Sequence, residues 1–527
     1  MKYLYFSSLL LATLSAPVLA SAAPFQPNNI VVARVGDGSG ALTPAATAVF
    51  LDEYTPAGQL VQSIALPTSV TGNNRILTAS GTATAELSLT RSVDGHYLVL
   101  AGYGAAPGTT SVSISATADV ARVIALIGAD GNVDTSTSPG ADAFDGSSIR
   151  AAATADGSSF YSVGGNSGVR YQAFGSVVST QLTTAPTAAR AIGLGPDNNL
   201  YFSTNASPYV GLSQVGTGLP TAAGQPVTVL PGFPGTAAGA SPYSFYFADL
   251  SPAVPGVDVV YVADDRTTGG GIQKWSLVGG SWVLSGTIAG SASAAVRGLG
   301  GSTSGTAVAL AATSANGLIV VADNAGYNAA PSVVALPTAV ATPGTSTAFR
   351  GVAMAPVALA PTIASFTPTT GGPGTTITIT GTNLTGATAV SIGGLAISGY
   401  TVVSATSITL FVPASSTGVS GPLTVVTPGG TAISATSFSL ALAAAASQAL
   451  PGLALYPNPA TDYVQVSLPQ AGPATVALRD LTGRQVLAPQ PLPASQRLRL
   501  PASLAAGIYL LEVRQGSETA VRRIEKK

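Results

Sequence analysis

The sequence predicts a mainly β protein: an N-terminal β-propeller of six blades, alternatively seven, followed by two smaller β-sandwiches. Three observations predict it. Short apolar runs joined by Asp, Asn and Gly turns recur from residue 25 to residue 356, and recurrence at a fixed interval is the mark of a repeat architecture. Gly (61) and Pro (37) punctuate the 527 residues more densely than usual, while 46% of the residues are hydrophobic and only 8% charged. That composition supports a packed, turn-rich core and excludes a disordered polyelectrolyte. Beyond Pro356, β-branched residues alternate with Ser and Thr, the pattern of strands with one buried face.

Composition also narrows function. A net charge of −1 supplies no long-range field for nucleic acid or anionic lipid, which need clustered Lys and Arg. The chain has no Cys and one His, His96, so thiolate chemistry, Cys/His zinc sites and catalysis by several histidines are removed.

The N-terminus reads Lys2, an apolar run from Tyr3 to Leu14, then APVLASAA. These are the parts of a secretory signal peptide over residues 1–22, with cleavage expected after Ala22. The apolar run falls short of the ~20 residues a spanning helix needs. The mean hydropathy of +0.42 is attributed to Ala and Val in strands, and no transmembrane segment is expected.

Residues 25–356 carry the propeller. Hairpin cores begin at Leu87, Ile149, Ala189, Phe245 and Val296. The turns Asp94-Gly95, Asp156-Gly157 and Asp197-Asn198-Asn199 sit between apolar runs, where residues tolerant of positive φ are required. Arg150, Arg190, Arg297 and Arg350 are spaced by 40, 107 and 53 residues, near the about 40 to 50 of a propeller blade once the longest gap is halved. The run FRGVAMAP at Phe349 repeats a blade's first strand, while NNIVVARVG, AVFLDEYTPAG and QLVQSIALP at the start supply the other three. Joining the two ends in one sheet would close the ring and remove an exposed edge.

The four arginines each begin a blade's first strand, with Ser88 and Tyr246 assigned to the equivalent slots of the other two blades. First strands line a propeller's channel, so Arg150, Arg190, Arg297, Arg350, Ser88 and Tyr246 are the candidate ligand-binding residues, suited to a carboxylate or sulfate. An acidic glycan would fit. The competing reading has each Arg tying neighbouring blades together. No cofactor is expected, with Ca²⁺ at Asp264, Asp265 and Asp323 as the one alternative. A glycosidase needs two carboxylates at a set separation, for which Asp52, Glu53, Glu86 and Asp249 are candidates. His96 follows a hairpin turn and is expected to face solvent.

In residues 361–440, Ile377, Ile379, Val390, Ile392, Ile408, Leu410, Leu423 and Val425 alternate with polar residues. The pattern SFxPxxGxxGTxxxIxGxNL is met by Ser365, Phe366, Pro368, Gly371, Gly374, Thr375, Ile379, Gly381, Asn383 and Leu384. In these residues the segment resembles the IPT/TIG immunoglobulin-like domain. The resemblance implies a β-sandwich acting as spacer or binding module. Residues 441–453 are Ala-rich and end in Pro451-Gly452, and read as a linker.

Arg and Lys reappear in residues 454–527, beside runs of alternating strand pattern. The residues Tyr456, Pro457, Asn458, Pro459, Asp462, Asp480, Gly483, Arg484, Gly507 and Tyr509, with the terminal Lys526-Lys527, closely resemble the type A sorting domain of the type IX secretion system. The resemblance makes Pro457, Asn458, Pro459, Asp462, Gly507, Tyr509, Lys526 and Lys527 the sorting motif. It implies a removable label that carries its cargo across the outer membrane of Bacteroidota-type bacteria.

The expected function follows: a secreted or cell-surface, non-enzymatic binding or adhesion protein exported by the type IX secretion system, with the propeller as ligand platform. The alternatives are an extracellular polysaccharide hydrolase or lyase with its site on the propeller, and a purely structural surface protein. Expected partners are the secretion machinery and an extracellular glycan or protein.

Overall fold

The strand Ala348–Met354 pairs antiparallel with Ile30–Val35, Ile30 opposite Met354 and Val35 opposite Ala348. Ile30–Val35 pairs in turn with Ala46–Tyr54, and that strand with Leu60–Ala65. This is the closure expected of FRGVAMAP and the three N-terminal runs, seen in a computed structural model that describes residues 23–237, 239–290, 295–413, 420–441 and 450–527. The first strand is buried on both faces. Val31, Ala33 and Val35 pack with Val49 and Leu51, while Ile30 and Val32 pack with Phe349 and Val352, which is why Ile30 to Ala33 are continuously apolar instead of alternating; Arg34 after them is paired with Asp52. The expected signal peptide and residues 442–449 of the expected linker lie outside the described residues.

Further sheets follow in sequence. Tyr97–Tyr103, Arg122–Gly128 and Val133–Thr137 continue from the short inner strand Thr90–Arg91, and Thr78–Ser80 joins this group to Ala46–Tyr54. Two sheets of four antiparallel strands each then span Ile149–Gln181 and Ala191–Val229; another four-stranded sheet spans Pro242–Ala289 and a three-stranded one Gly298–Asp323. The strands Thr90–Arg91, Ile149–Ala153, Ala191–Leu194, Pro242–Ala248, Gly298–Ser304 and Ala348–Met354 are the inner ones. Each of the six packs on the next, and the last packs on the first, so they enclose a common axis. The fold is a β-propeller.

Adjacent inner strands touch through backbone. Ser88 N–H donates to the Arg150 carbonyl at 3.1 Å, Ser244 N–H to the Arg297 carbonyl at 3.1 Å, and Gly351 N–H to the Leu87 carbonyl at 3.0 Å. A Cβ on Gly351 would lie 2.2 Å from the Leu89 nitrogen, so only glycine permits that approach.

A buried ion pair joins the last two propeller sheets. Lys274 Nζ lies 2.8 Å from Asp323 Oδ2, with both side chains fully buried. Lys274 also donates to the Gly326 carbonyl at 2.7 Å, and Tyr261 Oη donates to Asp323 at 2.6 Å. Burial alone would raise the Asp323 pKa, yet the Lys274 ammonium and the Tyr261 hydroxyl hold it down at about 2, the state of a partnered carboxylate.

Residues 361–440 form an immunoglobulin-like sandwich. One sheet holds Thr362–Thr367, Thr376–Thr382, Ser407–Phe411 and Tyr400–Ser404; the other holds Thr370–Gly371, Gly430–Leu440, Gly421–Thr427, Ala389–Ile392 and Leu395–Ala396. All eight alternating residues named from the sequence are buried. The last residues form a smaller sandwich with sheets of three and four strands over a core that includes Val464, Val466, Leu478, Leu498, Leu511, Val513 and Ile524. By internal packing the chain divides into two units. One comprises Met1–Thr367, Thr378–Leu410 and Pro422–Thr436, the other Pro368–Ile377, Phe411–Gly421 and Ser437–Lys527.

Removing one member of the buried pair should cost far more than removing both. Lys274→Met is expected to destabilise the propeller by about 3–5 kcal/mol, and Lys274→Met with Asp323→Leu to recover most of that loss. Denaturant unfolding of the three proteins checks it.

Candidate functional site

Three of the predicted arginines line one chamber at one end of the propeller channel. Its volume is about 220 Å³, and Arg190, Arg297, Arg350, Glu86, Tyr243 and Ser88 are among its walls. Arg190 and Arg297 stack on the same Tyr243 ring, at 4.4 and 5.3 Å from its centroid. They also share Asp265: Arg297 Nε is 3.0 Å from Oδ2 and Arg190 Nη1 is 3.8 Å from Oδ1. Arg190 Nη1 further donates to Ser241 Oγ at 2.6 Å. Aromatic stacking and one shared carboxylate hold both guanidiniums in the chamber wall, and they engage fewer than the five N–H groups that a guanidinium carries.

Arg350 is the most internally bonded. It donates to the carbonyls of Ala83 at 3.1 Å, Phe349 at 3.1 Å and Gly81 at 2.9 Å. Burial lowers its pKa to about 10; nearby Glu86 opposes the shift and Arg297 adds to it. Arg150 donates to Ser148 Oγ at 3.2 Å and to the Ala189 carbonyl at 3.1 Å. It is not among the described residues of the chamber wall; burial and Arg190 lower its pKa while Tyr243 and Glu86 oppose. Each arginine thus ties its inner strand to a neighbouring segment.

Ser88 and Ser244 separate this chamber from a second one of about 570 Å³ at the other end of the channel. Their Oγ atoms are 3.3 Å apart. Ser88 pairs with Ala151, and Ser244 N–H donates to the Arg297 carbonyl as Ser88 N–H does to that of Arg150, so both serines stand level with the residue that follows each arginine, and the arginine level itself falls on Leu87 and Tyr243, not on Ser88 and Tyr246. The register of the Ser244 strand slips by one residue between Pro242 and Phe245, as that of the Arg150 strand does between Ile149 and Ala151, and Tyr246 lies three residues beyond Tyr243. Tyr246 lies in the second chamber with Arg91, its Oη 2.9 Å from Thr303 Oγ1. The closing strand runs from Arg350 in the first chamber to Met354 in the second, and Val357 N–H is then fixed to the Gly95 carbonyl at 2.8 Å. The chain therefore leaves the propeller at the end away from the arginines. His96 is half-buried there, with Nδ1 2.7 Å from the Val357 carbonyl.

Glu86 is the acid the arginines face. Its carboxylate accepts Tyr103 Oη at 2.6 Å and Ser80 N–H at 3.1 Å, and the residue is 4% exposed. Burial pushes its pKa up to about 7, against the opposing pull of those two hydrogen bonds, Arg350 and Arg150. Its protonation near neutrality raises the positive charge of the chamber.

The other named carboxylates lie elsewhere. Asp52 is paired with Arg34 at 2.5 Å, Glu53 accepts from Asn29 at 2.7 Å, and Asp249 lines the second chamber. Of the proposed calcium ligands, Asp323 pairs with Lys274, Asp264 with Arg266 at 2.8 Å, and Asp265 with the arginines. Among the described residues no group of three His, Cys, Asp or Glu is placed to hold a metal.

The C-terminal motif is assembled on the final strand. Asn458 Nδ2 donates to the Arg523 carbonyl at 3.0 Å, and its Oδ1 accepts Glu525 N–H at 2.8 Å. Ala460 N–H donates to Glu525 at 2.7 Å and Lys527 N–H to Ala460 at 2.8 Å, so Asn458 and Ala460 bind the last strand as a neighbouring strand would. The Tyr456-Pro457 and Asn458-Pro459 bonds are cis. Tyr509 Oη donates to the Ala505 carbonyl at 2.9 Å, and the Asp462 carbonyl accepts Leu500 N–H at 2.8 Å. Gly507 opens the strand whose partner ends at Lys526.

Family models match both C-terminal segments: the secretion system C-terminal sorting domain over residues 454–527, and the IPT/TIG domain over residues 361–440. The chain ends in a sorting domain preceded by an IPT/TIG domain. The sorting domain is recognised by the type IX secretion machinery and directs export to the cell surface or extracellular space. Among the described residues no helix is long and apolar enough to cross a membrane. No curated protein matches the chain. Similar solved structures include a nidogen/laminin complex at 10% identity, covering 62% of this chain and 98% of that one with a TM-score of 0.35. TolB from Acinetobacter baumannii is 13% identical over 63% of this chain and 68% of its own, TM-score 0.36. A gluconolactonase from Xanthomonas campestris is 13% identical over 62% and 90%, TM-score 0.33.

Because the Glu86 pKa is raised from 4.5 to about 7, the folded propeller binds this proton more tightly than the unfolded chain. The stability so contributed is full below pH 4.5 and lost as pH rises through about 7, about 3 kcal/mol in all. Thermal unfolding across that window should show the decline in the wild type and a flatter profile in Glu86→Gln; equal slopes would contradict it.

Proposed function

We propose that this is an exported, non-enzymatic binding protein whose six-bladed propeller, over residues 25–356, holds an anionic group of an extracellular ligand in the arginine chamber. The observation that carries the reading is the convergence of Arg190, Arg297 and Arg350 on one small chamber whose nearest fixed counter-charges are Asp265 and Glu86. Guanidiniums held by a ring and by carbonyls cannot separate to relieve their repulsion. A carboxylate or sulfate between them would relieve it and accept the remaining N–H groups in the planar geometry that arginine favours.

A binding role is also supported by what surrounds the chamber. Glu86 is the sole carboxylate in its described wall, and a hydrolase working on a glycosidic bond needs two. The connection to the IPT/TIG domain leaves from the other end of the channel, so it does not cover the arginines. In this reading residues 1–22 are the signal peptide, 441–453 the linker, the IPT/TIG domain a spacer, and the sorting domain the export label. The ligand is an acidic glycan.

Arg297 and Arg190 are the substitutions to make, because Arg350 is needed by its own backbone contacts. Calorimetric titration with glucuronate or sulfate should show binding to the wild type. Arg297→Met and Arg190→Met should each weaken it by about tenfold or more, the worth of one charged hydrogen bond. Because protonation of Glu86 adds positive charge, affinity should rise as pH falls through about 7. Unchanged affinity in both variants would refute the assignment.

A further inference from the structure

We propose that the arginine chamber is a blind socket for the terminal acidic residue of a glycan chain, a uronate taken end-on, and that it excludes the same residue within a chain. This rests on the anion-binding reading and adds the geometry of the ligand.

The floor of the chamber is closed by two serines. Ser88 adjoins the inner strand Thr90–Arg91 and Ser244 belongs to Pro242–Ala248, which lies three places away around the ring of six in either direction. These residues face each other across the axis with their hydroxyl oxygens 3.3 Å apart, and nothing passes between atoms at hydrogen-bonding distance. They are also the two residues common to the walls of both chambers. Beside them the strands are in backbone contact: a Cβ on Gly351 would lie 2.3 Å from the Leu87 carbonyl oxygen, and one on Gly298 2.7 Å from that of Arg350. A polymer therefore cannot thread the channel from one end to the other.

Size and charge then select the occupant. An apolar cavity of ~150 Å³ takes one benzene ring, so a chamber of about 220 Å³ holds one six-membered ring with its carboxylate, and not two rings. Its walls carry the hydroxyls of Ser88, Ser244, Thr313 and Ser314 beside the arginines, partners for a hydroxylated ring. The second chamber has Arg91 as its only described cation, with Asp94 and Asp249 also in its wall, so the acid is drawn to the first. A residue inside a chain would have to pass both of its neighbours out through one mouth; a terminal residue passes one.

Titrating the purified protein with galacturonate, with oligogalacturonates from dimer to octamer, and with galactose tests it. The expected result is an affinity per chain constant within about two-fold from dimer to octamer, a number of bound proteins per chain that does not grow with length, and no binding of galactose. Affinity and proteins per chain that rise together with length would overturn end-on recognition while leaving the anion site intact. If neither the monomer nor any oligomer binds, and glucuronate and sulfate also fail, the anion-binding reading falls and this inference with it.

Discussion

The antiparallel pairing of Ala348–Met354 with Ile30–Val35 is the constraint on which the propeller depends. It joins segments more than three hundred residues apart and converts a row of sheets into a ring with no free edge. Once the ring is closed, residues at the same level of successive inner strands must face one another around the axis. Arginines that stand tens of residues apart in sequence are thereby brought to one end of one channel. Neither the chamber nor its charge would exist in an open array of the same sheets.

Closure also creates an electrostatic problem that the fold solves only in part. Four guanidiniums meet Asp265 and Glu86, and Glu86 is buried deeply enough to take up a proton near pH 7. The remaining repulsion is opposed by the Tyr243 ring, which two arginines share, and by backbone carbonyls, which fix Arg350 and Arg150. These contacts position the cations without neutralising them. In the proposed reading, scaffolding and recognition are therefore properties of the same residues. Elsewhere, where a charge serves structure alone, the partnering is complete: Lys274 and Asp323 are fully buried against each other.

Much of this was legible in the sequence because it depends on repetition and alternation. The closing strand could be recognised since FRGVAMAP resembles the first strand of its fellows, and the sandwich core since its buried residues fall at every second position. Arginine slots were visible through the spacing of Arg150, Arg190, Arg297 and Arg350 and their place at the start of first strands. Tyr246 was chosen for its strand where Tyr243 holds the arginine level, because Tyr243 and Tyr246 both fall in the run PYSFYFA and neither is an arginine that would mark the register. Glu86 was not linked to the arginines, since it reaches the chamber from the segment before Thr90–Arg91 and carries no periodic signal. The role of Asn458 in holding the last strand was likewise hidden, although the motif around it was plain, because a side chain that substitutes for a strand leaves no alternation to read.

The most direct test of the account is a crystal of the protein soaked in selenate, with the selenium located by anomalous diffraction. The account predicts a peak in the chamber between Arg190, Arg297 and Arg350, on the arginine side of the Ser88–Ser244 pair, in a closed ring of six inner strands. Selenate bound only at surface sites while that chamber stays open and ordered, or a ring in which Ala348–Met354 does not pair with Ile30–Val35, would contradict it.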